Sequence, residues 1–171
     1  MKRKRKEIMK HILISIQPQH TMNILHKDKI LEIRKTIPKC ELPCKVYIYC
    51  TKAKPHLYSI DDDNPLKPLN GRVVAEFTLN KIDTIEICDP DVLVNGKIVD
   101  VMEYKKDICI SHDDFLNYIG YGDNHDGWGN KEWSIGYGWH IEDLKIYDKP
   151  KELSEFGIKR AFQSWGYIWN K

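Results

Sequence analysis

The sequence predicts an α+β domain, a small mixed β-barrel with short flanking helices. Short apolar, β-branched runs recur along the chain: HILISIQ at 11–17, KVYIYCT at 45–51 and RVVAEFTL at 72–79. Such runs, bounded by Pro, Gly or Asn, read as strands. Only two segments read as helices, and both are short. The composition is ordinary for a globular protein, 42% hydrophobic and 30% charged, so the bulk of the chain is expected to fold. At 171 residues it is long enough to bury one core without disulfide or metal staples.

The first strand, His11 to Gln17, ends at Pro18, which suits the first turn of a helix because its missing N–H costs nothing there. The helix over Gln19–Asp28 puts Met22 and Leu25 on one face, with His20, Ile24 and Lys27 in the same turns. Lys29–Thr36 alternates. Leu31 and Ile33 point one way, Glu32 and Arg34 the other, as in a half-buried strand with a charged face. Pro38 and Pro43 bracket a turn. Lys45–Thr51 follows as a strand, with Tyr47 and Tyr49 opposite Val46, Ile48 and Cys50.

The polar stretch 52–70, with its acidic triplet Asp61–Asp63, reads as a loop. Asn70-Gly71 then turns the chain into Arg72–Leu79, and the strand pattern continues through Ile87. Asn95-Gly96 predicts a small hairpin. Ser111 is a good N-cap for a short helix over Asp113–Tyr118. Residues 120–138 hold six of the ten glycines together with Tyr121, Trp128, Trp133 and Tyr137. Trp139–Tyr147 reads as one late strand that Pro150 ends. Leu153–Phe156 reads as a turn or short helix, and Phe162–Trp169 as a final aromatic strand. The expected organisation is a basic N-terminal arm at 1–10 and a single domain at 11–171 with an insertion near 91–138.

With 27 basic and 25 acidic residues the net charge is +2, so any attraction to nucleic acid must come from a local patch. The run Lys2–Lys6 is one such patch. It reads as a solvated terminus or as a phosphate-binding arm. The five cysteines are an odd number with no apolar secretory segment ahead of them, as in a cytoplasmic protein with reduced thiols. Cys40 and Cys44 have loose zinc-ligand spacing, but no second pair follows, so no metal is expected. No apolar run approaches the roughly 18 residues a membrane-spanning helix needs. No cofactor-binding motif is present.

The order strand, helix, charged strand, aromatic strand brings Ser15, Gln17, Lys29, Glu32 and Arg34 into focus. Lys29, Glu32 and Arg34, in KDKILEIR, match the K-x-x-E-x-R block of the ASCH family. The chain resembles that family, part of the PUA-like superfold, through ILISIQP, KVYIYCT, GRVVAEFTL, GWHIEDLKIY and the closing phrase with Gln163, Ser164, Trp165 and Tyr167. The glycine that opens the family's block is replaced by Lys27, so the helix is expected to end without the usual left-handed glycine. The resemblance implies an RNA-binding module. It also allows a hydrolase, because some members are amidohydrolases acting on N4-acetylcytidine and a ribonuclease activity has been attributed to others. In the amidohydrolases a lysine and a threonine sit on the second strand; Lys29 matches that lysine, but Glu32 stands at the threonine position.

The residues support three readings. In the first, Ser15, Gln17, Lys29, Glu32 and Arg34 line a groove for RNA or a modified nucleoside. Arg and Lys hold phosphate, while Tyr49, Trp139 and Trp165, with Ser164 and His140 nearby, wall the groove and stack on bases. In the second, the chain is a hydrolase with Lys29 as base or nucleophile activator and Glu32 as its acid–base partner. In the third, the Gly- and Trp-rich tract is a protein-contact surface. Each residue also has a plainer role open to it: a salt bridge at the barrel mouth for Lys29, Glu32 and Arg34, helix capping for Ser15 and Gln17, and core packing for the aromatics.

Overall fold

The computed structural model of the protein describes residues 9–59, 67–88, 91–119 and 134–169. The basic run Lys2–Lys6, the triplet Asp61–Asp63 and the tract around Trp128 and Trp133 lie outside the described residues.

Strand β1 (Lys10–Ile16) leads into α1 (Pro18–Leu25), then β2 (Leu31–Arg34), β3 (Cys44–Cys50), β4 (Tyr58–Ser59), β5 (Lys67–Pro68), β6 (Arg72–Leu79) and β7 (Ile82–Cys88). The hairpin β8 (Asp91–Val94) and β9 (Lys97–Val99) precedes helices α2 (Val101–Ile108) and α3 (His112–Ile119). The chain closes with β10 (Ser134–His140), β11 (Glu142–Lys151), a 3-10 turn at Leu153–Phe156 and β12 (Trp165–Trp169).

The strands form two five-stranded sheets, β11-β6-β3-β1-β12 and β2-β10-β7-β8-β9, with β4 and β5 as a separate ribbon. The class is α+β as expected, but among the described residues the ladders do not join into one closed barrel. In the first sheet β1 pairs parallel with β3 and antiparallel with β12. A strand enclosed on both sides and both faces needs an unbroken apolar run rather than alternation. That is why His11 to Ile16 are all buried.

The principal core lies between the sheets. Ile12, Ile14, Val46, Ile48 and Phe77 from the first meet Trp139 from the second. A second core, with Leu31, Ile33, Ile85 and Phe115, sits under α2 and α3. A third, with Leu13, Tyr49 and Val73, covers the outer face of the first sheet beneath the segment from Leu153 to Phe162.

Several elements differ from the sequence expectation. Helix α2 was not anticipated. Its start is set by Asp100, whose Oδ1 accepts from the backbone N–H of Met102 at 2.8 Å and of Glu103 at 3.4 Å. Trp139–Tyr147 is not one strand. The chain changes sheets at Ile141, whose N–H donates to the Ile30 carbonyl at 2.9 Å, and β11 pairs with β6 instead. Pro150 does not end that strand. β11 is an edge strand, and Pro150 falls in the register gap between Ile146 and Lys151, where its missing N–H breaks no ladder bond. The Asn95-Gly96 hairpin forms with φ of 52° and 77°, the paired positive values its tight turn demands.

Candidate functional site: a buried cationic cluster

The helix that leads to the site ends in an unusual way. The helix ends without a glycine, as expected, and Lys27 itself takes the left-handed position at φ 65°. Its N–H donates to the Ile24 carbonyl at 2.9 Å, and the N–H of Asp28 to that of Asn23 at 3.0 Å. This is the paired closure of a Schellman turn, and it points the chain inward at Lys29.

β2 is not half-buried. All four of its residues are enclosed, so the charged face predicted for it is an interior one. Lys29, Glu32 and Arg34 are only 2%, 6% and 7% exposed. Burial on this scale is costly for charged groups unless every one is paired. The Glu32 carboxylate accepts from both cations: Lys29 Nζ lies 3.3 Å from Oε2, and Arg34 Nη2 lies 2.8 Å from Oε1. Lys29 Nζ also donates to the Ile108 carbonyl at 2.6 Å. Arg34 spans to the first sheet, donating from Nη2 to the Ser15 carbonyl at 2.9 Å and from Nη1 to Ser164 Oγ at 3.0 Å. Burial alone would raise the Glu32 carboxyl. Lys29, Arg34 and His20 outweigh it and hold the group below its usual range.

Two cations against one carboxylate leave the cluster with an excess positive charge. Two of its polar atoms are buried without a hydrogen-bond partner among the described residues, Arg34 Nε and His20 Nδ1. Burial, and then the field of Lys29, lowers the His20 pKa, which favours the neutral ring. Helix α3 contributes Asp114, whose charge reaches His20, and Tyr118, whose hydroxyl feels Arg34 and Glu32. Lys35 Nζ sits 5.4 Å from the centre of the Tyr118 ring. Sequence reasoning left His20 and Tyr118 out of the site. For His20 a signal existed: it is the only ionisable residue in the first turn after Pro18.

Of the expected site residues, Ser15, Ser164 and the three ionic side chains come together. Ser15 Oγ donates to the Phe162 carbonyl at 2.6 Å, and its N–H to the Ser164 carbonyl at 2.8 Å. Gln17 is the exposed N-cap residue of α1. Its side chain makes no cap bond. Trp165 is half-buried beside Ser164, with Nε1 donating to Thr36 Oγ1 at 3.0 Å.

Three others do not join as expected. Trp139 lies opposite Glu32 in the β2–β10 register, on the same face, but is 0% exposed and packs in the core, 5.5 Å from the Trp165 ring centre. No face of it is open to a base. His140 lies opposite Leu31, one residue out of phase, so its side chain takes the other face of the sheet. There Nε2 meets Asp83 Oδ2 at 2.6 Å instead of approaching Lys29. Tyr49 is 5% exposed and belongs to the core on the outer face of the first sheet.

Cys40 and Cys44 are free, with sulfurs 3.3 Å apart, and burial, followed by the Cys40 contact, pushes the Cys44 thiol up to about 12. Among the described residues, no three His, Cys, Asp or Glu side chains are grouped so as to hold a metal ion. Nor is any helix there long and apolar enough to cross a membrane.

Fold and cluster together define a two-sheet α+β domain whose second sheet opens on an enclosed, net-cationic K-x-x-E-x-R block. This is the fold of solved ASCH structures. The crystal structure of ASCH from Zymomonas mobilis superposes with a TM-score of 0.59 at 16% identity, covering 92% of this chain and 86% of its own. A tyrosine-to-phenylalanine variant of that protein gives 0.56, and a serine-to-alanine variant 0.57, both at 16% identity over 92% of this chain. They cover 88% and 87% of their own chains, respectively. No family model and no curated protein matches the sequence.

Proposed function

We propose that the protein is an RNA- or nucleotide-binding module of ASCH type, acting in the cytoplasm, whose phosphate site is the cluster around Glu32. One observation carries this reading: a buried group with two cations to one carboxylate also holds an Arg34 Nε and a His20 Nδ1 that have no hydrogen-bond partner among the described residues. An anion supplies what such a site lacks, and a phosphate offers oxygens for both nitrogens. In this reading Lys29 and Glu32 are positioning residues. They fix the guanidinium plane, and Ser164 orients its outer edge. Trp165, beside Ser164, is the stacking partner for a base.

The hydrolase alternative draws on His20, an imidazole kept neutral within the field of Lys29 and Glu32 and so able to take up a proton. The inward engagement of Lys29 Nζ by Ile108 and Glu32 favours the binding reading over it.

The test is a panel of short RNAs and modified nucleosides, N4-acetylcytidine included, measured for binding and for turnover. Wild type is compared with Ser164→Ala, Arg34→Lys and Lys29→Ala, each first checked for folding by circular dichroism. Binding without turnover, weakened at least tenfold by Arg34→Lys, is expected. Turnover lost in His20→Gln would establish the hydrolase instead. Binding unaltered in folded Arg34→Lys and Lys29→Ala would remove the site.

A further inference from the structure

A separate cavity of about 580 Å³ opens where the ends of β3 and β6 meet the 3-10 turn and the residues after it. None of its lining residues belongs to the Glu32 cluster. We propose that it is a second binding site, for a free mononucleotide or a phosphorylated small molecule of that size.

The volume falls within the range of about 300–1,000 Å³ usual for small-molecule sites. Tyr49, Leu153 and Ile158 give it an apolar wall, and Lys52, Ser154 and Lys159 give it polar groups. An apolar wall with a few convergent polar groups suits a ligand that carries both a ring and a charged end.

The charge balance gives the sign of that end. Among the described residues Glu152 is the one acidic residue of the lining, and it is already engaged. Arg72 pairs with it, and its carboxylate caps the 3-10 turn. Lys52 and Lys159 both line the hollow, and neither forms an ion pair among the described residues. The Lys52 stem uses the space at Gly71. Gly71, at φ +79°, has no Cβ, and a methyl group there would come within 3.1 Å of Lys52 Cε and 3.3 Å of its Cγ. The lysine stem lies across that glycine at the edge of the cavity. Tyr49, expected as a stacking residue of the Lys29, Glu32 and Arg34 groove, lines this hollow instead.

The experiment is a titration of the full chain with AMP, adenosine and inorganic phosphate, followed by amide NMR shifts and calorimetry. AMP is expected to shift the amides of Gly71, Ser154 and Gly157. Its affinity should exceed those of adenosine and of inorganic phosphate by at least tenfold. Lys52→Glu and Lys159→Glu, both exposed positions, should each weaken it at least tenfold as read at those amides. AMP binding that survives the double charge reversal, or that spares the amides of residues 152–159, would overturn the proposal. So would equal binding of inorganic phosphate. A short RNA that occupies the same amides more tightly than AMP would overturn the assignment to a small molecule.

Discussion

Two carboxylates in the second sheet face the same problem and solve it differently. Asp83, on β7, accepts from Asn95 Nδ2 at 2.7 Å, from Lys81 at 3.1 Å and from His140 at 2.6 Å. Its partners reach solvent, the Lys81 side chain being 57% exposed, so surplus charge there is neutralised by water and salt. Glu32, on β2, is held by two cations that are themselves enclosed, the Lys29 side chain at 1% and that of Arg34 at 9% exposure. One site staples a hairpin, since Asn95 also accepts from the Thr84 N–H at 2.9 Å. The other holds two enclosed cations against one carboxylate among the described residues. Similar residue types become a structural clamp or a candidate anion site according to whether the partners' far ends are wet.

Removing each carboxylate gives the sharpest contrast. Glu32→Ala leaves two enclosed cations facing each other, so a loss of about 3–5 kcal/mol is expected in urea unfolding. A loss as small as that of an exposed pair would erase the distinction. Arg34→Lys keeps the charge but not the planar fork that joins Ser15, Glu32 and Ser164, and a smaller loss of about 1–3 kcal/mol should follow. Asp83→Asn, with partners open to water, should cost about 1 kcal/mol.

Lys27→Gly acts in the opposite direction. It relieves a left-handed lysine and should stabilise the fold by about 1 kcal/mol, visible as a raised Tm.

Acidification separates the two regions further. The His20 pKa is lowered in the folded state, chiefly by burial and then by Lys29. The unfolded chain therefore takes up the proton first. Stability is fully present above the unfolded value of about 6.5 and declines as the pH falls through it. His20→Gln should flatten that decline. A Tm that rises on acidification in this range would contradict the burial of His20.

Much of the fold was legible in the sequence. The β1 run, the alternation of β3, the Pro18 helix start, the Asn95-Gly96 turn and the Ser111 cap are local chemistry, and local chemistry is what a sequence displays. The break at Ile141 was not legible. It depends on a sheet exchange fixed by Ile30 and Lys81, far away in the chain. The site was half legible. Lys29, Glu32 and Arg34 lie close together in sequence and stay together in space. His140 and Trp139 are neighbours whose side chains leave opposite faces of one strand, and only the pairing register with β2 reveals which of them shares the Glu32 side. Burial on both faces of β2 was hidden for the same reason, since what covers it comes from α2, α3 and residues 162–165.

The most direct test is a crystal structure of the protein with a 5′-phosphorylated RNA trinucleotide. A phosphate oxygen is expected within hydrogen-bond distance of Arg34 Nε, with His20 beside it and the Lys29–Glu32 pair unmoved. An RNA bound with Arg34 Nε untouched, its phosphates resting elsewhere on the surface, would contradict the assignment of the buried charge to ligand binding.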